Sequence, residues 1–294
     1  MTTYSITECF LEGQHGPMRY WESAPRQGVP VVLIHGYGGM IEHWRAVSRP
    51  IAARHSLFAL DLYFFGQSEI PARPPDRRMW VEQVAELIAT VCPAPVVVVG
   101  HSMGGMVAAQ LAHDYPHLVR GLVLVASTGL RDPNTQPSPI DQALFSVLRT
   151  GGVGELLADA LPGTWGARQS LTAAYYRKDR VTPEMVEQFA APLLRPGGAR
   201  AYLDVSRNFS HLSLEIERGA ITAPALLIWG QHDRSVPPAH AERFKQTLLP
   251  QAEIAVLDGS GHCPFDETPD AFLNVLLPWI ERITTQPAIT RSTP

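Results

Sequence analysis

Cysteine is scarce in this chain: Cys9, Cys92 and Cys263 are three in number and far apart. An odd, scattered set does not make a disulfide framework and fits free thiols in a reducing compartment. Charge is thin as well, with charged residues at 18% and a formal net charge of −4. Runs of lysine and arginine interleaved with aromatics are missing, which argues against a nucleic-acid partner. No apolar stretch approaches the roughly 20 residues of a membrane span. Residues 1–13 carry polar and acidic groups where a secretory signal needs a basic start and an apolar run. A soluble cytoplasmic protein is the expectation, of undetermined oligomeric state. What the chain does have is apolar material. Of 294 residues 45% are hydrophobic, enough to bury a sizeable core in one large α/β domain or a domain with an insertion.

That material is patterned. Residues 6–11 and 18–21 alternate around a Gly- and Pro-containing connection, which predicts a hairpin. Runs at 29–35, 56–62, 95–100, 119–126, 223–230 and 252–257 predict further strands, with 29–35 fully apolar as in a strand covered on both faces and 119–126 buried. Helical periodicity follows the glycine turn at 36–39 and the turn at 100–105, and recurs at 79–91, 238–248 and 269–283. Alternating strands and helices predict an α/β fold: a mostly parallel eight-stranded sheet, helices on both faces, the hairpin as antiparallel edge. The rhythm breaks at 131–218. There Pro and Gly punctuate helical pieces at 140–149, 153–160, 167–177, 183–194 and 198–207, with no strand-like run between them. This block is expected to be a helical cap inserted into a core of 1–130 and 219–283, with 284–294 a flexible tail.

The chemistry concentrates at Gly100-His101-Ser102-Met103-Gly104-Gly105, between a β-branched strand and a helical pattern. Gly-x-Ser-x-Gly in that setting is a nucleophile elbow, with the serine hydroxyl clear of the sheet at a helix N-terminus. A neutral serine needs a base in contact, and the base needs an orienting acid. Asp233 follows the strand ending at 230, and His262 follows the strand ending at 257. Both are therefore expected at the carboxyl edge of the sheet that carries Ser102, in the order Ser, Asp, His. Asp132, past the preceding strand, is the alternative acid. The oxyanion hole is assigned to the N–H of Met103 and to that of Tyr37, with Gly38 the other choice in the same turn.

These pieces resemble an α/β-hydrolase-fold enzyme with the capped-esterase layout, over residues 4–283. The resemblance rests on His35-Gly36-Tyr37-Gly38-Gly39, residues 61–68, the elbow, Trp229-Gly230-Gln231-His232-Asp233 and Gly261-His262. It implies Ser102 as nucleophile, His262 as base and Asp233 as acid, acting without a cofactor. Haloalkane dehalogenases and epoxide hydrolases carry an aspartate at the elbow, unlike this chain. Carbon–carbon hydrolases of aromatic-ring cleavage are similar, but usually have a proline in the first glycine loop and a tryptophan after the histidine. Here those places hold Gly39-Met40 and Cys263. The segment Gly261-His262-Cys263-Pro264-Phe265-Asp266-Glu267 also resembles hydrolases related to pheophytinase.

The expected substrate is a small, largely apolar carboxylic ester, with Tyr37, Phe145 and Trp165 as candidate contacts. The same triad serves C–C hydrolases, perhydrolases and haloperoxidases, and a non-catalytic ligand receptor is the reading from another class. His35 and His101 are expected to make supporting hydrogen bonds. His35, His101 and His262 lack the local spacing of metal ligands, so no metal is expected. Asp61 is expected to tie down loop backbone, and Cys263 to pack.

Overall fold

Consecutive Val, Ile and Leu cannot all face one side of a strand, so such runs need cover above and below. In the computed structural model, β3 (Val31–Ile34), β4 (Leu57–Leu60) and β5 (Val96–His101) are buried at every position. The structure describes residues 4–130, 163–208 and 213–285. Helical pieces expected at 140–149 and 153–160, with Asp132 and Phe145, lie outside the described residues.

The hairpin is β1 (Ser5–Gly13) and β2 (Gly16–Ala24). The sheet continues through β6 (Val119–Val125), β7 (Ala225–Gly230) and β8 (Glu253–Leu257). Its eight strands run in the order β1-β2-β4-β3-β5-β6-β7-β8. The β1–β2 and β2–β4 pairs are antiparallel and the remaining five pairs parallel, as the alternation predicts. Helices α1 (Arg45–Ala52), α2 (Arg77–Val91) and α3 (Met103–Asp114) cross between the early strands.

Among the described residues, three α-helices stand between β6 and β7: α4 (Gly163–Ala174), α5 (Pro183–Leu194) and α6 (Gly198–Asn208). After β7 comes α7 (Ala239–Thr247). After β8 come the short α8 (Pro264–Glu267) and the closing α9 (Pro269–Thr285), which runs to Thr285 rather than stopping at 283.

Loops at the carboxyl edge are anchored by buried polar groups. Asp61, just past β4, accepts from the Ile41 and Gln67 amides at 2.8 Å each, and Arg19 donates to it at 3.2 Å. That is the backbone-tying role expected of it.

Candidate active site

The elbow is a backbone problem first. Ser102 sits at φ 52°, ψ −117°, a left-handed conformation that non-glycine residues rarely adopt. Only bare neighbours permit the turn. A Cβ on Gly100 would lie 2.3 Å from the Gly104 carbonyl oxygen, and one on Gly104 would lie 2.3 Å from that of His35. The turn is pinned to β6 by the Ser102 amide on the Val125 carbonyl, 2.9 Å. Met103 opens α3, so its N–H belongs to the unsatisfied first turn of a helix.

The glycine turn after β3 lies against the elbow. Gly39 N–H donates to the Gly36 carbonyl at 3.0 Å, and Gly38, at φ 70°, takes the position that such a turn reserves for glycine. A Cβ on Gly36 would be 2.9 Å from Ser102 Cβ. His35 locks this turn to the next loop. Its Nε2 accepts from the Leu62 amide at 2.9 Å, so Nδ1 holds the proton and donates to the Gly36 carbonyl at 2.7 Å. Burial pulls its pKa down to about 4, consistent with a neutral structural imidazole.

β7 and β8 bring the other two groups together. Gly230, which has no room for a Cβ beside the Gly261 carbonyl, lets the loops after the two strands touch. The His232 amide donates to the Ser260 carbonyl at 2.9 Å. Asp233 is buried, with Oδ1 accepting from the Ser235 and Val236 amides at 2.8 and 2.9 Å. Its Oδ2 meets His262 Nδ1 at 2.8 Å. That contact fixes one face of the imidazole, so the proton-accepting work falls to Nε2.

Ser102 and His262 both line one cavity of about 650 Å³. No direct hydrogen bond joins the two among the described residues, and such bonds often tighten only around substrate. Cavity wall comes from the 36–39 turn and from α4, α5 and α6. Along α4, Gly163, Gly166, Ala167, Ser170, Leu171 and Ala174 face it at the spacing of one helical stripe. Trp165 falls off that stripe: it is half exposed and absent from the lining, which corrects its expected substrate contact. Tyr37 does line the cavity, its hydroxyl 2.6 Å from Ser206 Oγ. Phe189 lines it too, packed edge-on against His43. Tyr63, Phe64 and Phe65 are core residues.

His101 Nε2 donates to the His262 carbonyl at 2.9 Å, a supporting bond as expected. Burial holds the His101 and His43 rings well below the usual imidazole pKa, so both are neutral. Burial likewise pushes the Cys263 thiol up, leaving it protonated and packed. Among the described residues no group of three or more His, Cys, Asp or Glu is placed to hold a metal ion.

Sequence reasoning missed Glu267. Fully buried, its Oε1 accepts from the Gly261 and Cys263 amides at 2.9 and 3.1 Å, on either side of His262. Its Oε2 accepts from the Tyr176 and Arg177 amides at 2.7 and 2.8 Å, just past α4. One carboxylate therefore staples the histidine loop to the helices above it, helped by the His262 amide on the Ala174 carbonyl at 3.1 Å. Only its fixed distance from His262 in the sequence hinted at this. Glu267→Gln puts an amide NH₂ against two of those N–H donors and should cost about 2–5 kcal/mol. A thermal melt should show the loss, with kcat falling more than KM changes. An unchanged melt and unchanged kcat would remove the staple from the account.

With this geometry in place, comparison identifies the class. A family profile described as alpha/beta hydrolase fold matches residues 29–269. The chain belongs to the α/β-hydrolase family. An uncharacterized protein of Mycobacterium tuberculosis is 27% identical over 93% of this chain and 81% of that one. A pimeloyl-[acyl-carrier protein] methyl ester esterase of Aeromonas salmonicida is 29% identical over 85% of this chain and 94% of its own length. Among solved structures, the 2-hydroxy-6-oxo-6-phenylhexa-2,4-dienoate hydrolase of a Rhodococcus strain superposes with a TM-score of 0.79. It is 25% identical, over 95% of this chain and all of the other. Among the described residues no helix is long and apolar enough to cross a membrane.

Proposed function

We propose that this hydrolase is a cofactor-independent serine esterase that cleaves a carboxylic ester of a largely apolar small molecule. The observation that carries the reading is the Asp233–His262 hydrogen bond of 2.8 Å on the wall of the cavity that also holds Ser102. Ser102 Oγ attacks the ester carbonyl while His262 Nε2 takes its proton. The oxyanion that forms is met by the N–H groups of Met103 and Tyr37, each such donor worth on the order of 3 kcal/mol of barrier. The tetrahedral intermediate collapses as His262 returns the proton to the leaving alkoxide, and the alcohol departs. Water, deprotonated by His262, then attacks the acyl-enzyme and releases the acid. Asp233 holds the imidazole in the one tautomer that can do this and balances its charge.

Helices α4–α6 act as a cap that selects the substrate, and they supply most of the lining beyond the elbow. Ester-cleaving relatives support the ester reading.

A fluorophosphonate probe is expected to label the wild-type protein at Ser102 with loss of p-nitrophenyl ester turnover. Neither labelling nor turnover would leave the ligand-receptor reading instead.

A further inference from the structure

One part of the wall of the cavity that holds Ser102 has its own chemistry. No Asp or Glu side chain is among its described lining residues, whereas Arg195 and Arg200 both are. Arg200 is exposed. Arg195 is different: its Nε and Nη2 are buried and have no hydrogen-bond partner among the described residues. A guanidinium cannot shed its proton to escape this situation. Burial draws its pKa below the usual value, the mark of a charge whose surroundings do not compensate it. The nearest acids are otherwise engaged. Asp61 is bound to Arg19 and two backbone amides, and Glu69 accepts from the Ile70 amide.

Tyr202 lines the same stretch, and its hydroxyl is also buried without a partner. Arg195 and Tyr202 each lie within electrostatic range of the other. Their placement is built into the fold. Arg195 caps α5, its carbonyl accepts from Gly198 N–H at 2.8 Å, and Gly197 at φ 77° turns the chain into α6. Tyr202, one turn into α6, packs edge-on against Phe65 and Tyr37 at 5.1 and 5.9 Å between ring centres. Tyr37 thus sets Tyr202 beside the glycine turn that abuts Ser102.

Three groups able to donate, two of the guanidinium and one phenol O–H, therefore stand unpartnered within electrostatic range of one another. Nε and Nη2 form one edge of the guanidinium, the fork that grips two oxygens of a planar anion, and the phenol adds a third donor. We infer that Arg195 and Tyr202 form a carboxylate-binding subsite, and that the substrate is an ester bearing a free carboxylate besides its scissile bond. This rests on the esterase reading and narrows it: the cavity that takes the ester also holds an anion on the substrate.

The test uses p-nitrophenyl acyl esters in matched sets of equal length, ending in methyl, carboxylate or trimethylammonium. A parallel set carries the same ends on the alcohol arm. In at least one set the wild-type protein is expected to favour the carboxylate over the methyl terminus by about tenfold or more in kcat/KM. The trimethylammonium member should be the poorest. Arg195→Met should bring the carboxylate-to-methyl ratio to about one, chiefly through KM. Arg195→Lys should restore part of it, because it keeps the charge without the fork. Tyr202→Phe should reduce the ratio less. Equal rates for the methyl and carboxylate members in both sets of the wild-type protein would overturn the inference while leaving the esterase reading intact.

Binding tests the subsite apart from turnover. Calorimetry should show the uncleaved carboxylate ester bound by Ser102→Ala and the affinity lost in Ser102→Ala/Arg195→Met. If fluorophosphonate labelling fails yet this difference appears, the esterase reading falls and the subsite stands. No binding difference between these two proteins overturns the subsite.

Discussion

Ser102→Ala is expected to lower kcat/KM for a short p-nitrophenyl ester by about 10⁴-fold or more, on the scale seen when a triad nucleophile is removed. Residual turnover comes from whatever the oxyanion donors and the binding cavity supply without a nucleophile. The fold should survive the change. Ser102 Oγ has no hydrogen-bond partner among the described residues, and alanine adds no bulk to a turn already crowded by Gly100 and Gly104. Stability should therefore move by no more than about 1 kcal/mol, and substrate should still bind. The readout is a pair of measurements on one preparation: ester hydrolysis and a thermal melt. A variant that melts like the wild type and still turns over the ester within tenfold would remove Ser102 as the nucleophile.

Asp233→Asn is expected to cost about 10⁴-fold in kcat with KM little changed, because the substitution alters a tautomer rather than a shape. The carboxylate uses its two oxygens for different purposes. Oδ1 satisfies the amides of Ser235 and Val236, and Oδ2 accepts from His262 Nδ1. In asparagine the amide oxygen must stay with the two backbone donors, so the NH₂ group turns toward the imidazole. His262 Nδ1 can then only accept, the ring proton moves to Nε2, and the nitrogen facing the cavity no longer takes a proton from Ser102. Asp233→Ala should be worse in a different way. It leaves two buried N–H groups without an acceptor, which costs stability by about 1–3 kcal/mol each and adds a fall in melting temperature to the loss of rate. If Asp233→Asn kept wild-type kcat, the acid would have to be sought elsewhere, with Asp132 the first place to look.

The neutral histidines around the site carry no comparable burden. Because burial holds the rings of His35, His43 and His101 low, they stay uncharged well below neutral pH. Holding charged histidine there would cost more than the unfolded chain asks. Stability contributed by their neutral forms is present above the ordinary imidazole pKa and is lost as pH falls through it toward their lowered values.

The sheet and the elbow could be read from residue order alone. A strand buried on both faces advertises itself as an unbroken run of Val, Leu and Ile, and eight such runs or alternations made the eight strands. Gly100 and Gly104 were equally legible, since no residue with a Cβ can stand within 2.3 Å of a carbonyl oxygen. Asp233 and His262 meet because parallel strands deliver their carboxyl ends to one edge, which is a rule of topology and needs no contact map.

Tertiary structure decided the rest. Which side of α4 faces the cavity depends on the angle at which the helix is docked, so Trp165 in sequence resembled a substrate contact and in the fold points to water. Glu267 reads as an ordinary surface acid until α4 ends beside it, 91 positions away in the chain, and hands it two backbone amides. Arg195 reads as a solvated helix end until the turn through Gly197 closes it under α6. Local pattern determines strands and turns, because these depend on neighbours in the chain. The burial of a charge and the partner it lacks depend on what arrives from elsewhere, and only the assembled fold supplies that.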